Sequence, residues 1–234
     1  MEKHLFRKRG SILSHSKSHP NNWGGNIKRA TWEAIESRND IYRHLKIVCR
    51  YAVSPFHENP RFVNGILKKV GYKGLASGII KNDPLMLISR AGKLFNESKS
   101  FISLSQQCML HGDIIKSKKD LKKIFKTVNI FKKSNMIFGY LDHPFSKRYK
   151  YGWPNEKFRY LIHMELIKFL KKKKFKFLSL NRVMDFILQK QMIKIKVKEH
   201  SINYTLDYLK DNLSYALEYK DKKYELKNKL NLKI

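Results

Sequence analysis

The sequence predicts an α/β fold in which parallel strands curl toward a barrel. From residue 12 to about residue 191, short apolar runs alternate with amphipathic stretches of helical periodicity. This order favours parallel strands, because a helix between two strands returns the chain to the end of the sheet at which the first strand began. Hydrophobic residues make up 42% of the 234-residue chain, which suffices for a buried core and excludes wholesale disorder.

Periodicity and boundary residues predict two helices in the first half of this region. The first covers residues 31–45, whose apolar side chains share one broad face. The second starts near Pro60 and stops at Gly71, since proline suits a first helical turn and glycine suits a helix end. Apolar, β-branched runs predict strands over residues 46–56, 75–80 and 101–113.

The second half continues the same alternation. It is predicted to contain helices over residues 118–133, 155–174 and 181–191, and strands over residues 135–143 and 175–180. Asn181 is the predicted N-cap of the last helix, because its side chain can accept a hydrogen bond from a backbone amide of the first turn.

Beyond residue 191 the pattern changes to apolar–polar alternation. Residues 192–234 are therefore predicted to form a small β-rich extension of two to four strands, after an α/β domain over residues 1–191. The lysines of the extension suit solvent-facing and edge positions, where charge discourages pairing with other sheets.

The net charge indicates affinity for polyanions. Lys and Arg number 50 and Asp and Glu 19, so that the formal charge is +31, which favours binding to nucleic acid or an anionic surface through counterion release. The basic residues are mostly lysines spread along the chain, and no helix-turn-helix, RNA-recognition or zinc-finger signature accompanies them. Nucleic acid is therefore expected as a non-specific partner, and a basic nucleic-acid or anionic-surface binder is one alternative function.

The cysteines and the apolar runs bear on the compartment. Cys49 and Cys108 allow at most one disulfide and match no zinc-finger spacing. No apolar run approaches the roughly 20 residues of a membrane span, and the basic N-terminus lacks the apolar core of a secretory signal. We therefore expect a cytoplasmic location.

His15 and His19 form the sharpest motif, in the segment HSKSH. Two imidazoles four residues apart can face the same way on a helical turn or a tight loop and bind one divalent cation. The following PNNWGG contains turn-forming residues that let the chain wrap closely around such a site. The alternative is a pair of surface histidines in a serine-rich loop.

Polar groups follow several predicted strands, in the segments SHSKSH, SPFHE, LHGD and LDHPF. Because chemistry gathers at the carboxyl ends of parallel strands, the later segments add His111, Asp113, Asp142 and His143 as candidates. His143 is a candidate general acid or base, since the ordinary pKa of an imidazole lies near neutrality, and Asp142 could orient it. His111 and Asp113 are more in keeping with a structural role.

Aromatic side chains cluster beyond His143, in the segment SKRYKYGW. Tyr149, Tyr151 and Trp153 offer ring faces of the kind on which a sugar stacks. The alternative is a structural histidine, hydrogen-bonded in a loop, with the aromatic rings packed at the rim of the barrel.

These motifs resemble those of a known family. HSKSH resembles the His-Ser/Thr-x-x-His metal motif of the polysaccharide deacetylase (NodB-homology, carbohydrate esterase) family, and YLDHPFSKRYKYGW resembles its late Leu-x-His motif. The resemblance covers roughly residues 10–191. It implies an incomplete (β/α) barrel and a metal-dependent hydrolase that removes acetyl groups from the sugars of a polysaccharide or its precursor.

The resemblance also implies roles for individual residues. His15 and His19 would be two of three ligands of a divalent metal, zinc above all, and His143 would be the general acid that protonates the leaving amine. The substrate would be an acetylated oligo- or polysaccharide or its precursor, in contact with Trp23, Pro55, Phe56, Tyr149, Tyr151 and Trp153.

The sequence departs from the family in two places. VSPF stands where the family has Arg-x-Pro-Tyr/Phe, so the arginine is missing, and no aspartate precedes His15. The family opens instead with Thr-Phe-Asp-Asp-Gly, whose aspartates supply the catalytic base and the third metal ligand. We therefore expect a truncated or decayed relative that lacks its first strand or strands and has weak or no activity. The alternative is a non-catalytic sugar-binding remnant.

Overall fold

The computed structural model describes most of the predicted α/β domain and the strands of the extension. The described residues are 10–77, 101–105, 108–112, 114–133, 137–143, 152–198, 201–205, 215–219, 222–226 and 230–233. Three predicted site residues, Asp113, Tyr149 and Tyr151, lie outside them, and so do residues 78–80 of a predicted strand.

The helices lie where helical periodicity predicts them. Within the described residues they are α1 (Ile27–Leu45), α2 (Val63–Val70), α3 (Leu121–Lys133), α4 (Glu156–Lys172) and α5 (Leu180–Met192). α1 begins before the predicted residue 31, because Asn26 accepts a hydrogen bond from the Arg29 amide at 2.8 Å. Gly71 ends α2 as predicted, with φ of +97°. None of the helices in the described part of the chain is both long and apolar enough to cross a membrane.

The described part of the α/β domain contains two small parallel sheets. Its strands are β1 (Tyr51–Val53), β2 (Gly74–Ser77), β3 (Ile102–Ser105), β4 (Cys108–Met109) and β5 (Tyr140–Leu141). β1, β2 and β3 pair in chain order, with Ala52 opposite Leu75, and β4 pairs with β5. Ser14 extends the first sheet beyond β1 through a parallel bridge to Ala52.

Parallel strands in chain order are the arrangement that a (β/α) barrel requires. The described strands form two separate sheets, so that closure into a barrel stays a prediction. The single strand predicted over residues 101–113 is in fact two, because β3 pairs with the first sheet whereas β4 pairs with the second.

Three clusters of buried side chains hold these elements together. α1 and α2 cover the first sheet, with Ala34 and Leu67 among the fully buried residues. α5 packs beside β3, where Ile102 and Met184 are both fully buried. The third cluster joins α3 and α4 and includes Leu121, Val128, Ile162 and Leu166.

The prediction of a strand over residues 175–180 is wrong, since residues 175–179 have no strand structure and pair with none of the described strands. The alternating aromatic residues that suggest a strand, Phe175 and Phe177, instead line a cavity of about 390 Å³ together with Phe138. The alternation of aromatic residues here therefore reflects two side chains that line the same cavity, and not the pairing of a strand.

The last helix starts at Leu180, and its predicted cap is also wrong. Ser179 is the N-cap, because its hydroxyl accepts a hydrogen bond from the Arg182 amide at 3.4 Å. Asn181 lies inside the helix, and its backbone amide donates to the hydroxyl of Ser11 at 3.0 Å. Ser179 thus has the capping role that the sequence assigns to Asn181.

The described residues beyond Ile193 lie in strands. These strands are β6 (Lys194–Lys198), β7 (Ser201–Thr205), β8 (Tyr215–Tyr219), β9 (Lys222–Leu226) and β10 (Leu230–Lys233). β7 pairs antiparallel with both β6 and β10, and β8 pairs antiparallel with β9. The extension thus has more than the two to four strands predicted, and a domain boundary at residue 191 stays a prediction.

Candidate functional site

The carboxyl ends of the parallel strands bring several histidines together. His15 follows Ser14 at the edge of the first sheet, and His57 lies in the turn after β1. His111 and His143 follow β4 and β5 of the second sheet. Burial lowers the pKa of His143, and the charges of His111, His57 and His15 lower it as well.

The segment from His15 to His19 is a tight loop and not a helical turn. Ser16 and His19 have left-handed backbones, with φ of +63° and +55°. The Ser16 hydroxyl accepts a hydrogen bond from the His19 amide at 3.0 Å, which closes the loop on itself. Both imidazoles therefore meet on the same side, with ring centroids 4.7 Å apart.

The His15 imidazole is oriented by β1. Its Nδ1 lies 2.9 Å from the carbonyl oxygen of Val53. Because a carbonyl only accepts, Nδ1 carries the proton, and Nε2 keeps its lone pair. Burial lowers the pKa of His15 below the ordinary 6.5, and the charge of His19 lowers it as well, against the opposing effect of the Val53 bond. The neutral imidazole is the form that binds a metal ion.

The geometry of this pair fits two ligands of one cation. The Nε2 atoms of His15 and His19 are 3.1 Å apart, and two nitrogens bound to one tetrahedral zinc are about 3.3 Å apart. Among the described residues, no group of three or more His, Cys, Asp or Glu side chains has the arrangement of a metal site. A metal site at His15 and His19 therefore stays a prediction.

His111 and His143 form a second imidazole pair. Nε2 of His111 and Nδ1 of His143 are 2.8 Å apart, and the ring centroids are 4.9 Å apart. Burial, and after it the charges of His111 and His57, lowers the pKa of His143 to about 4. His143 is therefore neutral at pH 7 and able to accept a proton. The structure gives it an imidazole partner that sequence analysis did not pair with it.

Asp142 is held by three side chains of the neighbouring segment. Its carboxylate accepts hydrogen bonds from Trp153 Nε1 at 3.1 Å, Arg159 Nε at 2.7 Å and His163 Nε2 at 2.8 Å. Burial would raise the pKa of Asp142, but these bonds outweigh it and lower the pKa to about 2. The residue therefore anchors α4 to the end of β5, whereas its orienting role toward His143 stays a prediction.

The predicted sugar-binding residues divide into buried and exposed ones. Trp23 and Trp153 are only 1% and 5% exposed and belong to the hydrophobic clusters, and Pro55 is buried. The prediction that a sugar stacks on these two indoles is therefore wrong, because neither ring has an exposed face. Phe56 is 52% exposed, and its ring lies 4.5 Å from that of His19. Phe56 thus borders the space beside the His15–His19 pair.

Sequence analysis missed two residues that the fold brings to this region. His57 has a left-handed backbone, with φ of +63°, and its place in SPFHE, a polar segment after a predicted strand, was the available signal for it. Glu33 is fully buried in α1, on the same helical face as Ala30 and Ser37. A charged residue on an inward face was the available signal for Glu33.

Gly112 lets the turn after His111 approach another backbone closely. A Cβ on Gly112 would lie 2.3 Å from backbone atoms of Gly152 and Trp153, so we expect the Gly112→Ala variant to lose about 1–3 kcal/mol of unfolding free energy. Urea unfolding measures this. The control is Gly65→Ala in α2, where a Cβ meets nothing within 4 Å and helix propensity favours alanine by about 1 kcal/mol. Equal stabilities of the two variants would contradict the close approach.

Comparison of the sequence with protein-family models gave no match, and comparison with curated proteins gave none either.

Proposed function

We propose that this chain is a metal-dependent, deacetylase-like hydrolase that acts on acetylated sugars of a polysaccharide or of its precursor. The proposal rests on one observation above all: the Nε2 atoms of His15 and His19 converge to 3.1 Å at the carboxyl end of a parallel sheet. The resemblance of HSKSH to the deacetylase metal motif supplies the reaction type and the substrate class. His143, at a neighbouring strand end, supplies a group that can carry a proton.

His15 and His19 would hold a divalent cation, and neutral imidazole ligands favour zinc. Such a cation, when bound, lowers the pKa of water and polarises an acyl carbonyl. The chain prepares His15 for this role, because the Val53 carbonyl fixes the tautomer in which Nε2 is unprotonated. Phe56 contacts His19 edge-on and limits the freedom of that ring.

His143 would move the proton during hydrolysis. Since its pKa is about 4, it is neutral at pH 7 and cannot start the reaction as an acid. It would first accept a proton from the attacking water and then donate that proton to the leaving amine or alcohol. Its Nδ1 lies 2.8 Å from Nε2 of His111, so that the neighbouring imidazole holds the ring in place. The predicted general-acid role of His143 is then the second half of its cycle.

Turnover should be slow. An imidazole with a pKa of about 4 is a weak base at pH 7. Two protein ligands also hold zinc less tightly than the three of a typical catalytic site.

Metal loading and acetate release test the proposal. After equilibration with zinc, the full chain is expected to retain about one zinc ion and to release acetate slowly from acetylated sugar oligomers, and EDTA should abolish both. A chain that retains no zinc would contradict the proposal. Sugar binding that survives EDTA, without acetate release, would favour the non-catalytic alternative. Fast turnover would contradict the assignment of His143, a weak base, as the group that moves the proton.

A further inference from the structure

Glu33 is a buried carboxylate in the middle of α1 and is not among the proposed ligands. Its side chain is 0% exposed. A charged group is buried to this extent only where other groups pair with it. Its partners therefore indicate what the residue does.

The partners of Glu33 lie in the segment between the two proposed metal ligands. Its Oε2 accepts hydrogen bonds from the backbone amides of Lys17 and Ser18, both at 2.8 Å. Its Oε1 accepts a hydrogen bond from the Ser18 hydroxyl at 2.5 Å. One carboxylate thus binds the two consecutive residues at the centre of the HSKSH loop.

Arg29 completes the arrangement from one turn earlier in α1. Its Nε donates to Glu33 Oε1 at 2.9 Å, and its Nη2 donates to the Ser18 hydroxyl at 3.0 Å. The guanidinium also lies over the ring of Trp32, 4.3 Å from its centroid. Glu33, Arg29 and Ser18 therefore form a closed set of charge-assisted hydrogen bonds between α1 and the loop.

The loop needs such support to keep its shape. Ser16 and His19 both have left-handed backbones, a conformation that residues other than glycine keep only when their surroundings impose it. The amides of Lys17 and Ser18 lie between these two residues, and the Glu33 carboxylate binds both amides. Loss of the carboxylate would leave the loop free to relax, and the Nε2 atoms of His15 and His19 would then separate.

We propose that Glu33 is a positioning residue that pre-forms the His15–His19 metal pair through the backbone of the loop. The inference rests on the proposed function, because it assumes that this pair binds a metal ion. Glu33 would not touch the metal itself. It would act as the groups behind metal ligands commonly do, by fixing the direction of the ligand side chains.

Cobalt(II) binding by the full chain tests the role, because cobalt reports its own coordination through its visible absorption spectrum. The Glu33→Gln variant is expected to bind cobalt about 10- to 100-fold more weakly and to show an altered spectrum at saturation. Its far-UV circular dichroism should stay that of the unaltered chain. A merely structural role for Glu33 would leave the spectrum of the saturated variant unchanged.

The control is Glu36→Gln, which removes the same charge from the same helix at a partly exposed position, and it should leave cobalt binding unchanged. If Glu33→Gln does not fold, Ser18→Ala serves instead: it removes one contact of the carboxylate at an exposed residue and should weaken binding in the same direction. The inference about Glu33 would be overturned if a folded Glu33→Gln variant kept its cobalt affinity and spectrum. The same holds for Ser18→Ala where that variant is tested instead. Either result would leave the proposed function standing. Failure of the unaltered chain to bind cobalt would overturn the proposed function and the inference with it.

Discussion

The His19→Ala variant is expected to bind zinc about 100-fold more weakly than the unaltered chain. The binding free energy of zinc at a site with four protein ligands is about 10–16 kcal/mol. One ligand therefore contributes about 3 kcal/mol, which corresponds to about 100-fold in affinity. The alanine removes one of the two nitrogens that lie 3.1 Å apart. His15 keeps its hydrogen bond to Val53, and so the remaining ligand stays in place. Competition with a chromophoric chelator at neutral pH measures the change.

A histidine elsewhere on the surface provides the matched control. His44 is exposed in the last turn of α1, and His44→Ala should leave zinc affinity unchanged. His15→Ala should weaken binding at least as much as His19→Ala, because it removes the imidazole that β1 orients. Equal zinc affinities of the His19→Ala and His44→Ala variants would rule out the proposed pair.

The Asp142→Asn variant is expected to lose about 3 kcal/mol of unfolding free energy, at the lower end of the range for breaking a buried ion pair. The Asp142 side chain is 5% exposed and that of Arg159 is 20% exposed, so solvent replaces the lost partner poorly. The asparagine keeps the size of the side chain but has one acceptor oxygen for the three donors Trp153, Arg159 and His163. Urea unfolding at neutral pH measures the loss.

The same carboxylate predicts how stability depends on acid. The pKa of Asp142 is lowered from 3.8 to about 2 in the folded chain. A lowered pKa adds stability that is fully present above the unfolded value and disappears as the pH falls through the folded value. The unaltered chain should therefore lose this contribution between about pH 4 and pH 2, and the Asp142→Asn variant should show a shallower decline over that interval.

Asp40→Asn is the control for this substitution. Asp40 pairs at the surface with Lys17 and Arg43, and exposed pairs contribute little to stability. The Asp40→Asn variant should therefore lose much less unfolding free energy than the Asp142→Asn variant. Similar losses in both variants would mean that the Asp142 cluster is no more than a surface ion pair.

The helices follow from short-range patterns in the sequence. The apolar face of residues 31–45 predicts most of α1, and Gly71 predicts the end of α2 through its left-handed backbone. Such features depend on residues within one or two turns of each other. The same local rule fails at residues 175–180, since aromatic alternation does not reveal whether a neighbouring strand is available for pairing.

Only part of the candidate site could be predicted from the sequence. The sequence shows that His15, His111 and His143 follow predicted strands, and the rule that chemistry lies at carboxyl ends then predicts one region for them. It does not show that Trp23 and Trp153 are core residues, because burial depends on what the rest of the chain packs over an indole.

Local chemistry in the chain therefore specifies which segments are helical, and it specifies the HSKSH spacing that allows two imidazoles to share a cation. Only the assembled fold pairs His111 with His143 and places Glu33 behind the loop. The physical reason is distance along the chain. These contacts join residues separated by 32 and 16 positions, and hydrophobic periodicity carries no information about which distant segments become neighbours.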